Sequence, residues 1–224
     1  MKKLLDELSC SVSWTGDLYS DVMALLTHNS CAHTARHSTA VAAQAGKLAK
    51  RFGADQALAQ AAGWLHDVSA IIPVSRRLAV ARQWGLEVLP AEETAPMLLH
   101  QRLSAVIAAD LFGIVETEVL SAIGCHTTLK AQATRLDKVV LLADKIAWDQ
   151  AGRPPYQRRL ERALGVSLDR AVLCYLDHLW QQRATLAALH PWFVAAYQEL
   201  KASVEESPAA EEQDRGGHQS APIL

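Results

Sequence analysis

His66-Asp67 closes the apolar run Leu58-Ala59-Gln60-Ala61-Ala62-Gly63-Trp64-Leu65. An imidazole and a carboxylate side by side are metal ligands of different hardness, able to grip one cation or to bridge two. Alone, the pair is a weak signal. It gains weight from His37, His100, His126 and Asp144, each on, or at the end of, a separate segment with helical patterning. A carboxylate or imidazole on an apolar helical face loses hydration worth several kcal/mol unless a partner or a metal compensates it. Asp67 and Asp144 stand in that position. Six such side chains exceed what one zinc ion takes, so two divalent ions sharing Asp67 is the economical arrangement. Two ions about 3.5–4 Å apart can activate water and polarise a phosphoryl group. That is the chemistry of phosphate-ester or anhydride hydrolysis, with Asp67 as the expected catalytic residue.

The elements that must position these residues read as helices. His37, Val41, Ala45, Leu48 and Phe52 recur at three- or four-residue steps, predicting a helix from His37 to Phe52 that Gly53 ends. A second, from about Gln56 to Leu65, delivers His66-Asp67, and Ile71-Ile72-Pro73 stops it. A third runs near Val74 to Trp84. Pro90 to Pro96 reads as a polar linker. His100, Leu103, Ile107 and Leu111 then share a face closed by Gly113, and Val119, Ile123 and His126 share the next. A helix from about Arg135 aligns Asp137, Leu141, Asp144 and Trp148. Gly152-Arg153-Pro154-Pro155 breaks the pattern, Ser167 is the expected N-cap of a long helix, and Pro191 suits the first turn of a last helix reaching Val204. No strand-like alternation is evident, so the expected fold class is all-α.

Composition narrows the partners. With 50% hydrophobic residues in 224, the chain can bury a substantial core and is not a disordered segment. Lysine and arginine number 22 against 24 aspartates and glutamates, a formal net charge of -2, which disfavours nucleic acid and anionic lipid and makes phosphate binding a local matter. Cys10, Cys31, Cys125 and Cys174 form no Cys-x-x-Cys pair, which fits a reducing cytoplasm better than a zinc ribbon or disulfide framework. No segment approaches the roughly 20 apolar residues of a membrane span, and Asp6-Glu7 interrupts any signal-peptide core. A cytoplasmic protein acting on a phosphorylated small molecule is therefore expected, and assembly as a homodimer is left open.

The ordered series His37, Ala61-Ala62-Gly63-Trp64-Leu65-His66-Asp67, Leu99-His100, His126-Thr127-Thr128 and Leu142-Ala143-Asp144 resembles the HD-domain metal-dependent phosphohydrolases. Within them it is similar to the YqeK-like branch, the symmetrical bis(5'-nucleosyl)-tetraphosphatases, over about Cys31 to Gln150. The resemblance implies an HD-domain helical bundle with additional C-terminal helices. It also implies two metals, commonly iron with manganese or another transition metal as alternatives. His37, His66, Asp67 and Asp144 would hold one, and Asp67, His100 and His126 the other. The implied reaction is water attack on a dinucleoside tetraphosphate, giving two nucleoside diphosphates. The expected organisation is an N-terminal helical segment at 1–30, the metal-binding domain at 31–152, helices packed on it at 153–204 and a disordered tail at 205–224.

Two departures accompany the resemblance. Family members carry a lysine three residues after the aspartate of the pair, where this chain has Ala70, and a neutral methyl cannot replace a phosphate-binding charge. After Asp144 the chain reads Lys145-Ile146-Ala147-Trp148-Asp149-Gln150 in place of an acidic, arginine-containing phosphate loop. Lys145, Arg76, Arg77 and Arg153 are candidate replacements, and Thr127 and Thr128 are candidate phosphate donors. These departures support a second reading, a regulatory or interaction module that retains metal and has lost turnover. His33 competes with His37 as a ligand, since the two lie one helical turn apart; the resemblance favours His37. His28, His178, His190 and His218 read as surface or capping residues. Trp148, Trp180, Trp192, Tyr156, Tyr175 and Tyr197 could supply a base-stacking surface but read mainly as packing.

Overall fold

In the computed structural model, which describes residues 2–206, the chain begins with α1 (Lys2–Ser9) and α2 (Leu18–His28). Asp17 caps α2 by accepting from the Ser20 amide at 2.9 Å. Helix α3 (Ala32–Phe52) starts five residues before the predicted His37, because Ala35 and Ser38 continue the buried stripe of Val41, Ala45 and Leu48 toward the N-terminus. It ends at Gly53, whose φ of +69° is the left-handed cap that glycine adopts without strain. Asp55 caps α4 (Gln56–Leu65), a 3-10 turn spans Val68–Ile71, and α5 covers Val74–Gln83.

The linker expected at Pro90–Pro96 is instead α6 (Pro90–Thr94) followed by a 3-10 turn at Pro96–Leu99. Pro90 suits a first helical turn, and the Glu92 carboxylate accepts from the Leu89 amide at 2.9 Å. Those start signals carry no apolar periodicity, so a reading based on periodicity passes over them. Helices α7 (His100–Phe112), α8 (Thr117–Cys125) and α9 (Arg135–Ile146) follow. Thr134 and Asp137 cap α9 reciprocally, so the buried Asp137 serves the helix start although it shares a face with Asp144. Trp148 lies beyond the end of α9 and leaves the face predicted for it.

Helices α10 (Gln157–Val166), α11 (Leu168–Gln181) and α12 (Pro191–Glu206) complete the described chain. Ser167 caps α11 as expected, by accepting from the Arg170 amide. Glu205 and Glu206 are helical, and the rest of the expected tail lies outside the described residues. Among the described residues there is no strand, and no helix is long and apolar enough to cross a membrane. The fold is all-α.

Helix α3 packs on α4 and α9, α8 packs on α4, α7 and α9, and α11 joins α9 to α10 and α12. Val41, Leu65, Leu103, Ile107, Ile123 and Leu141 are fully buried where these helices meet. The α3–α4 crossing is set by Gly63: a Cβ there would stand 2.5 Å from Ala42 Cα and 2.8 Å from Ala42 N. The helices therefore touch backbone to backbone. Gly63→Ala is expected to destabilise the protein by about 1–3 kcal/mol in urea denaturation, the range for overpacking a tight interior. Gly165→Ala, in open space on α10, serves as the control and should be neutral or slightly stabilising.

Candidate metal centre

Three histidines share one local device. His66 Nδ1 lies 2.8 Å from the Gly63 carbonyl, His100 Nδ1 2.6 Å from that of Met97, and His126 Nδ1 2.8 Å from that of Ile123. Each acceptor sits three residues back, in the last turn of α4 or α8 or in the 3-10 turn before α7, where carbonyls lack a partner in the helix ladder. With Nδ1–H donating to a carbonyl, the neutral ring carries its lone pair on Nε2. The helix ends thus fix the tautomer.

All three Nε2 atoms point into one cluster with the carboxylates. Asp67 divides its oxygens: Oδ2 is 3.5 Å from His66 Nε2, while Oδ1 is 3.5 Å from both His100 Nε2 and His126 Nε2. Asp144 Oδ1 lies 3.0 Å from His37 Nε2 and 3.8 Å from His66 Nε2. His66 Nε2 is buried without a hydrogen-bond partner, its lone pair facing two carboxylates. His100 Nε2 and His126 Nε2 are 3.0 Å apart, two lone pairs in opposition, with the Thr127 hydroxyl 2.9 Å from the former as a neutral donor. A cation among these atoms would relieve both conflicts. Three overlapping groups bring candidate ligand atoms within 4.8 Å of one another: His37, His66 and Asp67; His66, His126 and Asp144; Asp67, His100 and His126. Neutral imidazoles with carboxylates and no thiolate suit iron, manganese or zinc.

The charges are mutually dependent. Burial alone would raise the Asp67 pKa, but His66, His126 and His100 outweigh it and hold the carboxyl well below its usual range. Burial likewise acts against Asp144, which Lys145, His37 and His66 keep ionised. Lys145 Nζ, 2.6 Å from Asp144 Oδ2, is driven up by that carboxylate against the effect of burial, so it stays charged. Burial also works to lower the His37 pKa, and Asp144, Asp149 and Asp67 together raise it. His66 is lowered, chiefly by burial. His100 is lowered to about 4, burial again being the main cause.

A cavity of about 360 Å³ opens above the cluster, with His37, Asp67 and Asp144 at its floor. Lys145, Trp148, Tyr156, Tyr175 and His178 form a wall. Lys145 is thus the basic candidate that reaches the cavity. Arg76 is exposed, Arg153 lines an adjoining cavity that shares Lys145 and Trp148 with this one, and Arg77 is buried, donating to the Ile72 and Met97 carbonyls. Thr127 stands beside His100. Thr128 turns away: it is buried, accepts from Gln101 Nε2 at 3.1 Å and donates to the Leu129 carbonyl. His33 is exposed and reaches only Asp149, at 3.7 Å, whereas His37 sits in the cluster.

Several contributors escaped the sequence reading. Gln101 Oε1 accepts from the Thr127 and Thr128 amides, tying the turn after His126 to α7. Ser69 donates its hydroxyl to the His100 carbonyl at 2.8 Å and its amide to Ser104 Oγ at 3.1 Å, tying the turn after Asp67 to the same helix. For Ser69, a hydroxyl within the otherwise apolar run from Val68 to Ile72 was the available signal, whereas Gln101, between His100 and Arg102, left none. His178 is half-buried and lines the cavity, whereas His190, 2% exposed, takes the capping place expected for it at the entry of α12, its Nδ1 accepting from the Trp192 amide at 3.1 Å. The aromatic set divides: Trp148, Tyr156 and Tyr175 face the cavity, while Trp180 stacks on Tyr197 with centroids 4.5 Å apart, joining α11 to α12.

A pH dependence follows from His100. The folded chain keeps this imidazole neutral down to about pH 4, whereas the unfolded chain takes up the proton near its ordinary 6.5. Protons then favour the unfolded state between these values, so this contribution to stability is complete above pH 6.5 and is lost as pH falls toward 4. Urea denaturation of metal-free protein across that window should show the decline, and His100→Gln should flatten it.

Residues 34–149 match the HD domain family model. The chain is 40% identical over 140 residues to an uncharacterized protein in the pepC 5' region of Lactococcus lactis subsp. cremoris, covering 62% of this chain and 71% of that one. It is 34% identical over 112 residues to the symmetrical bis(5'-nucleosyl)-tetraphosphatase of Staphylococcus aureus, covering 49% of this chain and 56% of that relative, little more than half its length. A crystal structure from Clostridium acetobutylicum, named as a predicted HD superfamily hydrolase involved in NAD metabolism, superposes with a TM-score of 0.75 at 25% identity, over 85% of this chain and 98% of that one. The helices, the ordered histidines and aspartates and these similarities agree: the chain belongs to the HD domain family.

Proposed function

We propose that the protein is a metal-dependent phosphohydrolase with a dinuclear centre, acting on a phosphate anhydride. The observation that supports this most directly is the division of the Asp67 oxygens between His66 on one side and His100 with His126 on the other. In this reading His37, His66, Asp67 and Asp144 hold one divalent ion, and Asp67, His100 and His126 hold the second. Iron is the favoured metal, with manganese or another transition metal as alternatives. Such a pair, when bound, activates water and offsets charge on a phosphoryl group.

The chain's own residues account for binding and orientation. Lys145, charged and on the cavity wall, attracts phosphate oxygens while limiting repulsion from Asp144. Thr127 offers a hydroxyl beside His100. Because burial keeps His66 and His100 neutral, they are available as ligands without first losing a proton. Tyr156, Tyr175 and His178 lie beyond the residues matching the family model, so helices after the metal-binding domain complete the recognition wall. The Staphylococcus aureus relative is named a symmetrical tetraphosphatase, which makes a dinucleoside tetraphosphate, cleaved to two nucleoside diphosphates, the substrate of choice. A regulatory module is the second reading, favoured by Ala70 and by the position of Arg153 outside the cavity.

Protein purified without chelators should contain close to two transition-metal ions per chain by elemental analysis. Incubated with dinucleoside polyphosphates, mononucleotides and simple phosphate esters, it should release nucleoside diphosphates from the symmetrical tetraphosphate, and Asp67→Ala should reduce this to background. Lys145→Ala should lower kcat/KM by about 10- to 100-fold, the loss of a charged hydrogen bond. Tight metal binding without turnover on any of these substrates would favour the regulatory module.

A further inference from the structure

His37 differs from the other three clustered histidines in how its ring is held. His66, His100 and His126 lie at helix ends and donate Nδ1–H to carbonyls three residues back. His37 lies within α3 (Ala32–Phe52), where the preceding carbonyls are engaged in the helix ladder. No backbone acceptor is therefore at hand. Its Nδ1 is buried with no well-aligned hydrogen bond, and Asp149 Oδ2 stands 3.4 Å away. On the other side of the ring, Nε2 is 3.0 Å from Asp144 Oδ1.

The ring thus sits between two carboxylates, and a neutral imidazole has one proton to place. On Nε2, the proton donates to Asp144 and the nitrogen facing the cluster cannot ligate. On Nδ1, it donates to Asp149 and leaves the Nε2 lone pair directed at the cluster. We infer that Asp149 is a positioning residue of the metal centre: its Oδ2 accepts the His37 Nδ1–H and selects the tautomer that can bind metal. It does for His37 what the carbonyls of Gly63, Met97 and Ile123 do for the other rings. Being charged, it also makes Nε2 a stronger donor than a carbonyl would. His33, 3.7 Å from the same oxygen, has a side chain 67% exposed and is dispensable in this role. The inference rests on the proposed function only insofar as the cluster binds metal, and it requires no particular substrate.

The test uses the full-length protein, freed of metal and titrated with zinc against a competing chelator. Asp149→Ala should weaken zinc binding by about 10- to 100-fold, the usual cost of losing an outer-shell partner. Asp149→Glu should restore most of the affinity, and His33→Ala should match the parent. Long-range 15N–1H NMR of zinc-loaded protein labelled at histidine should show the His37 proton on Nδ1 in the parent, with that signature broadened or shifted in Asp149→Ala. The melting temperature of the metal-free variant should stay near that of the parent, separating positioning from folding. Parent-like zinc affinity and an unchanged His37 signature in Asp149→Ala would overturn the assignment. If the parent bound zinc but, loaded with iron or manganese, turned over no phosphate, the hydrolase reading would fail while this assignment stood on affinity and tautomer; a parent that bound no metal would sink both.

Discussion

Two carboxylates and four imidazoles are gathered in a largely buried cluster that meets solvent only at the cavity floor, and the rest of the molecule is organised around that concentration of unsatisfied groups. Isolated burial of either aspartate would cost several kcal/mol and drive it toward protonation. The imidazoles and the Lys145 ammonium reverse that tendency and keep both ionised. The compensation inside the protein is incomplete, because His66 Nε2 has no partner and the Nε2 atoms of His100 and His126 oppose one another. Chemistry of this kind stores an affinity for cations in the folded chain.

Such a cluster persists only if its members cannot turn away. Helix ends supply that rigidity cheaply, since the free carbonyls that terminate a helix are well placed to hold a ring three residues later. Gly63 joins the two levels: the absence of a side chain lets α3 and α4 cross at backbone contact, and its carbonyl orients His66. Ser69, Ser104 and Gln101 then bind the turns after Asp67 and His126 to α7. Five helices become one frame for six side chains.

The cavity shows where this chain departs from the pattern it resembles. Ala70 brings no charge, Arg77 is committed to backbone carbonyls, and Lys145 is shared with Asp144. Aromatic and imidazole side chains from beyond the HD domain make up much of the wall. In the proposed hydrolase, a site with so few fixed cations would leave phosphate recognition to bound metal and to the shape of that wall, which the C-terminal helices help to build.

The all-α class and the five helices bearing the candidate ligands were legible, and the six candidate ligands could be picked out, because each leaves a local trace. A 3.6-residue period, a glycine stop or a polar residue on an apolar face depends on neighbours a turn or two away. The misreadings have a matching cause. The α6 start signals lie outside any apolar period, Trp148 falls past a helix end that nothing in the spacing marks, and Thr127 and Thr128 look alike although one faces His100 and the other Gln101. His178, near the cavity, and Asp149, beside His37, come from segments far along the chain from the helices they serve. Local spacing fixes which side of a helix a residue occupies, but which side chains meet across helices depends on crossing distances and turn geometry that involve residues 26 to 107 positions apart, and there is no local signature for that.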